Sequence, residues 1–542
     1  LIKVISLNIQ DKIKTSPIAS IVLVGVVFFY LIFFSSSKGV QYGDFGLMYI
    51  QVKDIVESGY STFAVRYKGE KADPDHKYFP YTKPFIGKVG QKYYIDFPPY
   101  FPLLNTPFYQ YFGMNGIYIL SYLALLGTLY LIYKIGALYE LSFEMIHLSI
   151  FLYSFGMTAT MYNLVFHEYP IAIFLITSSF YFGALYYTRK NNYSLVWFGL
   201  LGGLSLFFRL EMIFVILSIG ISLVLTNPKD FFKIGFLSFL GFIFPFIALL
   251  SLNQYIHGHP LGLRYILTLT EDSSISLLGR IDIIRDMLFS STRGFFFQSS
   301  FVIILPFILF LRKLILFQER FLFLLLFFGF GFILLTAPNH GDHRAPRYLF
   351  GLYPILVLLV VISFSSYIKA TSFEGKSVFQ KPIQILFSIL VLISFLATIQ
   401  NYRWMQKATV NVISLNETIS NLADSETAII FRDYAQPLNT QKIYLERTVF
   451  VSEKLENLSE LIHKIRESGF KKILVSQVYS APLNEEAKEK IFRDYITSLS
   501  LSKISESSYE IGNETEKGFV SPRWIQFGKN QNLFILNLSF LK

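Results

Sequence analysis

The amino-acid sequence predicts a polytopic membrane protein built of α-helices, and three observations lead to this fold class. Hydrophobic residues make up 53% of the 542 residues and charged residues only 16%, with a mean hydropathy of +0.47; soluble proteins carry about 25% charged residues. Apolar runs long enough to cross a bilayer recur along the chain. From residue 401 onward the composition becomes a mixture of polar and charged residues. This composition excludes a cytosolic enzyme, a disulfide-rich secreted protein and a disordered protein.

Apolar runs without Asp, Glu, Lys or Arg define about eleven predicted transmembrane helices. A helix needs about 20 such residues to cross the hydrocarbon core. The runs are 16–37, 116–133, 145–166, 169–188, 191–208, 212–228, 234–256, 294–311, 321–339, 348–368 and 382–402. Because the first run is too long for the apolar core of a typical signal peptide, we predict that it is an anchor and is not cleaved.

The distribution of Lys and Arg predicts the orientation of the chain. With the N-terminus inside, each predicted cytoplasmic turn contains Lys or Arg, as the positive-inside rule requires. The opposite side then receives a first outer loop (38–115), the turn at His167-Glu168, the loop 253–293, the stretch 339–347 and the C-terminus. The net charge of +11 follows from this arrangement. We predict no nucleic-acid binding, since no basic stretch is interleaved with aromatic residues.

Two domains follow from the change of composition. Residues 1–400 form the predicted transmembrane domain, and residues 401–542 a small extracytoplasmic α/β domain. Buried strands are predicted at 427–432, 471–476 and 532–538. Between the first two strands, apolar residues recur at helical spacing. These are Leu455, Leu458, Leu461, Ile462 and Ile465.

The first outer loop begins with a predicted amphipathic helix capped by Asp44. Its apolar residues are spaced three and four apart and share one face, with Asp54 off that face. They are Phe45, Met48, Val52 and Ile55. Asp44 either only caps this helix or acts as a general base, because a carboxylate at the membrane surface can gain a raised pKa. After Pro98-Pro99, a second amphipathic helix is predicted to lie in the membrane interface. Leu104, Pro107, Phe108 and Tyr111 line its apolar side.

The order of several motifs resembles that of a known family. In the first loop these are Gly43-Asp44, Ser58-Gly59, 90-GQKYY-94, Pro98-Pro99 and Phe112-Gly113. Further along they are 199-GLLGGLSLFFRLE-211, the segment 253–260, 290-SSTRGFFF-297 and 341-GDHRAPRYLFGLYP-354. Together they resemble, over roughly residues 17–365, the GT-C superfamily of integral membrane glycosyltransferases. The most similar types are the bacterial protein-mannosyltransferases and lipid A aminoarabinose transferases.

The resemblance implies a GT-C-like fold and a membrane glycosyltransferase. Such an enzyme transfers a hexosyl or pentosyl group from a polyprenyl-phosphate donor, within surrounding membrane lipids, to a glycan, lipid or protein acceptor. It also implies a multi-pass protein of the bacterial inner membrane, with its active site on the outer side. Asp44 matches the family's catalytic base, and Glu168, which matches its second acidic position, is the second candidate for a catalytic carboxylate.

Further roles follow from what the donor phosphate needs, namely fixed cations near the interface. We assign Arg347, with His343 as a helper, to the phosphate. Arg293, Arg209 and Tyr348 are the other candidates for the donor, and Asp96, His167 and His259 are candidates for acceptor contacts or loop structure.

No cofactor is certain. The chain has no Cys, so a Cys-based metal site is excluded. A divalent cation held by Asp44 and Glu168 stays open, because Phe45-Gly46 follows Asp44 where the family often has an acidic residue or His. His257, His259, His340 and His343 have spacings that permit shared ligation, although hydrogen-bonding roles are more common for loop histidines.

Other functions remain open at the level of sequence. A transporter or flippase of lipid-linked saccharides belongs to a different class, and an envelope assembly factor is a further alternative. The absence of internal repeats in the sequence and the crowding of polar residues on one side favour the enzyme over the transporter. An oligosaccharide ligase or polymerase of the same superfamily would use the same carrier chemistry.

Overall fold

The computed structural model describes most of the chain and is mainly helical. The described residues are 18–34, 43–269, 275–312, 317–339, 345–373, 377–434, 436–478, 494, 502–510 and 530–537. By its contacts the chain divides into two compact units. The helical unit comprises Leu1–Lys38, Pro107–Gly262 and Thr268–Trp404; the mixed unit comprises Gly39–Thr106, Leu263–Leu267 and Met405–Lys542. The predicted domain boundary at residue 401, with the first outer loop in the transmembrane domain, stays a prediction.

The helices follow one another along the chain with short connections. They are α1 (Ile18–Phe34), α2 (Gly43–Glu57), α3 (Tyr100–Phe112), α4 (Ile119–Leu138), α5 (Phe143–Phe155), α6 (Tyr169–Arg189), α7 (Tyr193–Ser205), α8 (Met212–Thr226), α9 (Phe231–His257), α10 (Gly262–Leu269), α11 (Leu277–Phe289), α12 (Phe295–Gln298), α13 (Ile304–Arg312), α14 (Phe317–Thr336), α15 (Tyr353–Phe373), α16 (Ser377–Leu422), α17 (Gln441–Glu446) and α18 (Leu455–Glu467).

Six helical stretches within the described residues are long and apolar enough to cross a membrane. They are Tyr100–Leu138, Tyr169–Arg189, Pro228–His257, Glu319–Thr336, Arg347–Ala370 and Gln380–Leu422. Shorter apolar helices lie at Ile18–Phe34, Phe143–Phe155, Tyr193–Ser205, Met212–Thr226 and Ser300–Phe310. Each of these stretches overlaps one of the predicted runs, and the protein is a multi-pass membrane protein. The number of helices that cross stays a prediction.

Some predicted spans are interrupted by buried 3-10 turns. The run 145–166 contains α5, which ends at Phe155, and a 3-10 turn at Thr158–Leu164. Within this turn, Thr160 Oγ1 lies 2.8 Å from the carbonyl oxygens of Ser154 and Met157, either of which can accept its proton. Similar turns at Ser300–Ile303 and Arg347–Leu352 precede α13 and α15. Backbone that is not α-helical is tolerated in a membrane protein where it is buried inside the protein.

The mixed unit contains two sheets. In the first outer loop, β1 (Ile86–Val89) and β2 (Lys92–Ile95) form an antiparallel hairpin, with Gly90 in the left-handed conformation at its turn. The second sheet has the strand order β4-β3-β5-β7-β6. Its strands are β3 (Thr427–Phe431), β4 (Val449–Val451), β5 (Lys472–Val478), β6 (Ser502–Glu510) and β7 (Asn530–Asn537). β3 is parallel to β4 and β5, whereas β7 is antiparallel to β5 and β6.

The amphipathic helix of the mixed unit is α18, at the position where helical spacing predicts it. Its buried side chains are Leu458, Leu461, Ile462 and Ile465. The strands β3, β5 and β7 overlap the three segments predicted as strands. The parallel strands β3 and β5 are joined through β4 and α18, which is the connection that parallel pairing requires.

Candidate functional site

A cluster of buried charges lies at the start of α6 in the helical unit. His167 and Glu168 immediately precede α6 and are 0% and 2% exposed. Arg209, which is also 2% exposed, comes from the turn between α7 and α8. Its Nη1 donates to Glu168 Oε1 at 2.8 Å, and its Nε donates to Glu211 Oε1 at 2.8 Å. One guanidinium therefore joins two carboxylates from segments about forty residues apart in sequence.

Tyr169 closes this cluster from the first turn of α6. Its hydroxyl donates to Glu211 Oε1 at 2.8 Å and accepts a hydrogen bond from Arg209 Nη2. The Arg209 guanidinium also lies over the Tyr169 ring, with Cζ 4.1 Å from the ring centroid. Planar guanidinium groups suit such stacked positions, where Lys would not be equivalent. Tyr169 is the member of the cluster that the sequence-based assignment of site residues missed.

Aromatic side chains from two buried 3-10 turns surround the cluster. Tyr162, from the turn Thr158–Leu164, contacts the rings of His167 and Tyr169 with centroid distances of 5.1 and 5.5 Å. Phe350, from the turn Arg347–Leu352, contacts the Tyr162 and Tyr169 rings at 5.0 and 5.1 Å. These rings shield the ion pairs from solvent, which strengthens the electrostatic interactions among the charges.

Arg347 and Tyr348 belong to the same neighbourhood. Burial lowers the pKa of His167 well below its ordinary value, and the positive charges of Arg209 and Arg347 add to this effect. The charge of Arg347 therefore acts on the cluster. The Tyr348 side chain is buried, and its hydroxyl donates to Asn339 Oδ1 at 3.2 Å.

His167 has two neighbours that compete for the same ring nitrogen. Its Nδ1 lies 3.0 Å from Glu168 Oε2 and 3.3 Å from the backbone nitrogen of Tyr169. A protonated Nδ1 donates to the carboxylate, whereas an unprotonated Nδ1 accepts from the N–H of Tyr169. Both arrangements are compatible with the neutral imidazole that the lowered pKa implies.

Asp44 lies in the mixed unit, in the first turn of α2. The helix begins at Gly43, so Asp44 is its second residue and the predicted cap position is displaced by one residue. Gly43 has a φ of +54°, in the left-handed region that glycine adopts most readily. The Asp44 side chain is half-buried. A carboxylate in a first turn interacts favourably with the helix dipole, so the capping and catalytic interpretations are both compatible with this position.

The burial of a second carboxylate of α2, Asp54, differs from the sequence prediction. Asp54 is only 3% exposed, although helical periodicity predicts it off the buried face. Arg66 explains the difference, because its Nε donates to Asp54 Oδ1 at 2.8 Å and its backbone N–H donates to Asp54 Oδ2 at 3.2 Å. Burial raises the pKa of Asp54, and the bonds to Arg66 oppose this rise. Asp54 is thus a structural carboxylate.

The remaining candidates are dispersed within their units. In the mixed unit, Asp96 lies 3.7 Å from the Nε of Arg264. In the helical unit, Arg293 forms an ion pair with Asp286. The Nδ1 of His259 accepts a hydrogen bond from the backbone N–H of Leu261 at 3.2 Å, which is a loop-structuring role. The predicted phosphate helper His343 lies outside the described residues.

The surroundings of Glu168 bear on whether this carboxylate could bind a divalent cation. Its two oxygens lie 2.8 Å from Arg209 Nη1 and 3.0 Å from His167 Nδ1. Both oxygens of Glu168 therefore have a protein neighbour that competes with a metal ion for them. Among the described residues, no group of three or more His, Asp or Glu side chains could hold a metal ion. His340 and His343 lie outside those residues.

Comparison with solved structures identifies the fold. The crystal structure of ArnT from Cupriavidus metallidurans bound to undecaprenyl phosphate aligns with a TM-score of 0.52, over 97% of this chain and 98% of that one, at 10% identity. The chain has the ArnT fold. ArnT in the apo state gives a TM-score of 0.53, over 96% and 97% of the two chains, at 10% identity. The predicted resemblance is therefore confirmed at the level of the fold.

The remaining comparisons gave a weaker structural match and no sequence match. The oligosaccharyltransferase of Archaeoglobus fulgidus, in a complex with Zn and sulfate, aligns with a TM-score of 0.47, over 84% of this chain and 68% of that one, at 10% identity. No family model and no curated protein matches the sequence.

Proposed function

We propose that this protein is a membrane glycosyltransferase that transfers a sugar from a polyprenyl-phosphate donor to a glycan, lipid or protein acceptor. The observation that carries the proposal is the likeness of fold to ArnT over 97% of this chain, in a structure that holds undecaprenyl phosphate. The buried charged cluster at the start of α6 supports it. Ionisable side chains buried in a membrane protein are costly and are functional candidates by default.

Arg347 is the residue we assign to the donor phosphate. Arg209 is held by Glu168 and Glu211, so its role is to order the cluster. Arg347 acts electrostatically on the same groups, and its charge opposes that of Arg209. Two guanidinium groups that repel each other favour an anion nearby, and a phosphate with two oxygens matches the planar fork of an arginine. Tyr348, adjacent in the chain, is assigned with Arg347.

Asp44 is the residue we assign as the general base. It would take the proton of the acceptor hydroxyl while the hydroxyl oxygen forms a bond to the anomeric carbon of the sugar. The bond between that carbon and the phosphate oxygen breaks, and the polyprenyl phosphate leaves with the electron pair. General-base catalysis of this kind contributes about a hundredfold to ten-thousandfold to the rate. Glu168 is assigned to the cluster, where it fixes Arg209.

The finer topology is also part of the proposal. Eleven helices cross the membrane, with the N-terminus in the cytoplasm and the residues after the last span outside. The apolar side of α3 supports an interfacial position, because Leu104, Tyr111 and Phe112 are 49%, 83% and 60% exposed. The protein then works at the outer face of a bacterial inner membrane, where polyprenyl-phosphate sugars carry the donor.

The test is the release of free polyprenyl phosphate by the purified protein. A panel of polyprenyl-phosphate sugars is incubated with the protein, with and without a membrane extract as the source of acceptors. We expect release that depends on the extract. Asp44→Asn should lower the rate by about a hundredfold or more, whereas Asp75→Asn, which removes an exposed carboxylate of the same loop, should leave the rate unchanged.

A second pair of variants tests the donor site. Arg347→Ala should weaken donor binding and raise the KM for the donor, while Arg285→Ala, at a side chain that is 72% exposed and paired with Asp282, should not. If the protein binds the donor but releases no polyprenyl phosphate, the proposed glycosyltransferase activity is wrong, and the alternative of a flippase for lipid-linked saccharides is favoured. Preferential use of donors that carry an oligosaccharide would instead identify a ligase or polymerase.

A further inference from the structure

Gln441, the first residue of α17, contacts the helix turn that carries Asp44. Both residues belong to the mixed unit. The Gln441 side chain is 1% exposed, and its Nε2 lies 3.3 Å from the carbonyl oxygen of Gly43, to which it donates. The same Nε2 donates to the carbonyl oxygen of Leu438. The amide of Gln441 therefore links its own segment of the chain to the first residue of α2.

The bond to Gly43 bears directly on Asp44. The carbonyl group of Gly43 and the Cα of Asp44 lie in one rigid peptide plane. Gly43 has a φ of +54° and no side chain that could hold the plane in place. Fixing the Gly43 carbonyl oxygen therefore fixes the plane from which the Asp44 side chain projects.

Packing at Gly46 shows how closely the two segments approach. A Cβ atom added at Gly46 would lie within 3.0 Å of the Cδ, Nε2 and Oε1 atoms of Gln441, closer than real Cβ atoms come to other groups. The Gln441 amide thus occupies the space that a side chain at position 46 would need. Any larger residue at position 46 would push Gln441 away from α2.

The segment that carries Gln441 is itself held in place. The Nδ2 of Asn416 donates to the carbonyl oxygens of Asn439 at 2.9 Å and of Val412 at 2.7 Å. The hydroxyl of Tyr81 donates to the carbonyl oxygen of Pro437 at 3.4 Å. The turn before α17 is therefore tied to α16 on one side and to the first outer loop on the other. A side chain supported in this way can hold a second group in a fixed position.

We propose that Gln441 is a positioning residue for Asp44, so that the chain after the last predicted span contributes to catalysis. The proposal rests on the proposed function, in which Asp44 is the general base. Gln441 does not touch the reacting atoms in this proposal; it keeps the turn of Asp44 in the orientation that proton transfer needs. Small displacements of a catalytic group lower the rate steeply.

The test compares Gln441→Ala with Asp44→Asn in the polyprenyl-phosphate release assay. Gln441→Ala should lower kcat by about tenfold to a hundredfold, with little change in the KM for the donor. In a chain that already carries Asp44→Asn, Gln441→Ala should have no further effect on the rate, because the group it positions is gone. Lys442→Ala, at the exposed next residue of α17, is the matched control and should behave as wild type.

Gly46 supplies a readout that separates positioning from folding. Gly46→Ala should lower both the thermal stability and the rate, since the new methyl group displaces Gln441. The double variant Gly46→Ala/Gln441→Ala should regain the stability of Gln441→Ala, because the methyl group enters the space left by the amide. Its rate should stay as low as that of Gln441→Ala.

Three outcomes would overturn the proposal, and the third of them also overturns the assignment of Asp44 as the base. Full turnover by Gln441→Ala, with Asp44→Asn inactive, refutes the positioning role and leaves Asp44 as the base. A loss of rate that returns together with stability in the double variant shows that Gln441 only supports folding. Full turnover by Asp44→Asn refutes the base itself, and the positioning role fails with it.

Discussion

At the scale of single residues, His167 gives a pH-dependent prediction. Burial, Arg209 and Arg347 lower the pKa of His167 well below 6.5 in the folded protein, while unfolding returns it to about 6.5. The unfolded chain therefore binds one more proton below that value. We expect the free energy of unfolding to be fully maintained above about pH 7 and to fall as the pH drops below 6.5, by at most about 1.4 kcal/mol per pH unit.

The contribution of His167 can be isolated by substitution. Glutamine does not titrate, so His167→Gln should show a shallower decrease of unfolding free energy between pH 7 and pH 5 than the wild type. Chemical unfolding in detergent across this range measures the difference. An identical slope in both proteins would mean that His167 keeps its ordinary pKa in the folded state.

Arg209 gives a prediction about stability. Arg209→Ala leaves Glu168 and Glu211 without the guanidinium that joins them, and both carboxylates are largely buried. Breaking a buried ion pair in this way costs about 3 to 5 kcal/mol. Thermal unfolding in detergent measures the loss, with Arg285→Ala as an exposed control. Equal stability of the two variants would show that water reaches the cluster.

The same residues show what the sequence can and cannot predict. The sequence identifies Glu168 and Arg209 as separate candidates, because ionisable residues next to apolar runs are uncommon and costly. The sequence does not reveal that they pair, because two predicted spans, 169–188 and 191–208, separate them along the chain. Asp54 is assigned to the wrong face for a similar reason: periodicity on α2 does not reveal that Arg66, twelve residues further along the chain, donates hydrogen bonds to the buried Asp54 carboxylate. The site residues themselves stay predictions.

At the scale of elements, the contact between α7 and α9 gives a third prediction. A Cβ atom at Gly199 would lie within 3.0 Å of the carbonyl oxygen of Ser238, and one at Gly241 would lie as close to that of Val196. The two helix backbones therefore touch, as small residues permit in membranes. Gly199→Ala and Gly241→Ala should each destabilise the protein by about 1 to 3 kcal/mol, the cost of inserting a methyl group into a packed interior.

Gly235 offers the matched control in the same helix. A Cβ atom there meets nothing within 4 Å, so Gly235→Ala should be neutral or slightly stabilising, because alanine favours the helix over glycine by up to about 1 kcal/mol. Thermal unfolding of the three variants tests the contact. If all three melt alike, the α7 and α9 backbones lie further apart than the structure shows.

Apolar runs predict where the helices lie, but they do not predict where those helices break. The segment 145–166 is uniformly free of charge, yet α5 ends at Phe155 and a 3-10 turn follows. Gly156 marks the break, since a Cβ atom there would lie 2.8 Å from the carbonyl oxygen of Leu152. A charge-free run does not reveal such a turn, because the residues of the turn are uncharged and mostly buried.

At the scale of the whole molecule, the part of the first outer loop from Gly39 to Thr106 and the chain after Trp404 fall within one unit. The backbone N–H of Val451, at the edge of the five-stranded sheet, donates to the carbonyl oxygen of Tyr78 at 2.9 Å. Lys77 Nζ lies 2.6 Å from Glu460 Oε2. The sequence does not reveal this association, because the two segments are separated by nearly all the apolar runs.

The ion pairs of Glu460 make this unit sensitive to acid. Hydrogen bonds from Lys464, Lys77 and Tyr78 lower the pKa of Glu460 to about 2, from 4.5. Because the folded pKa lies below the unfolded one, the stabilisation is present above about pH 4.5 and is lost as the pH falls towards 2. Glu460→Gln should flatten this part of the stability profile, measured by unfolding between pH 5 and pH 2.5. Glu467→Gln, on the exposed side of α18, is the control.

If both variants show the same stability profile as the wild type, the Glu460 carboxylate does not hold the loop and the chain after Trp404 together. The contacts that remain are the hydrogen bond between Tyr78 and Val451 and the ring contact of Tyr67 with Phe450.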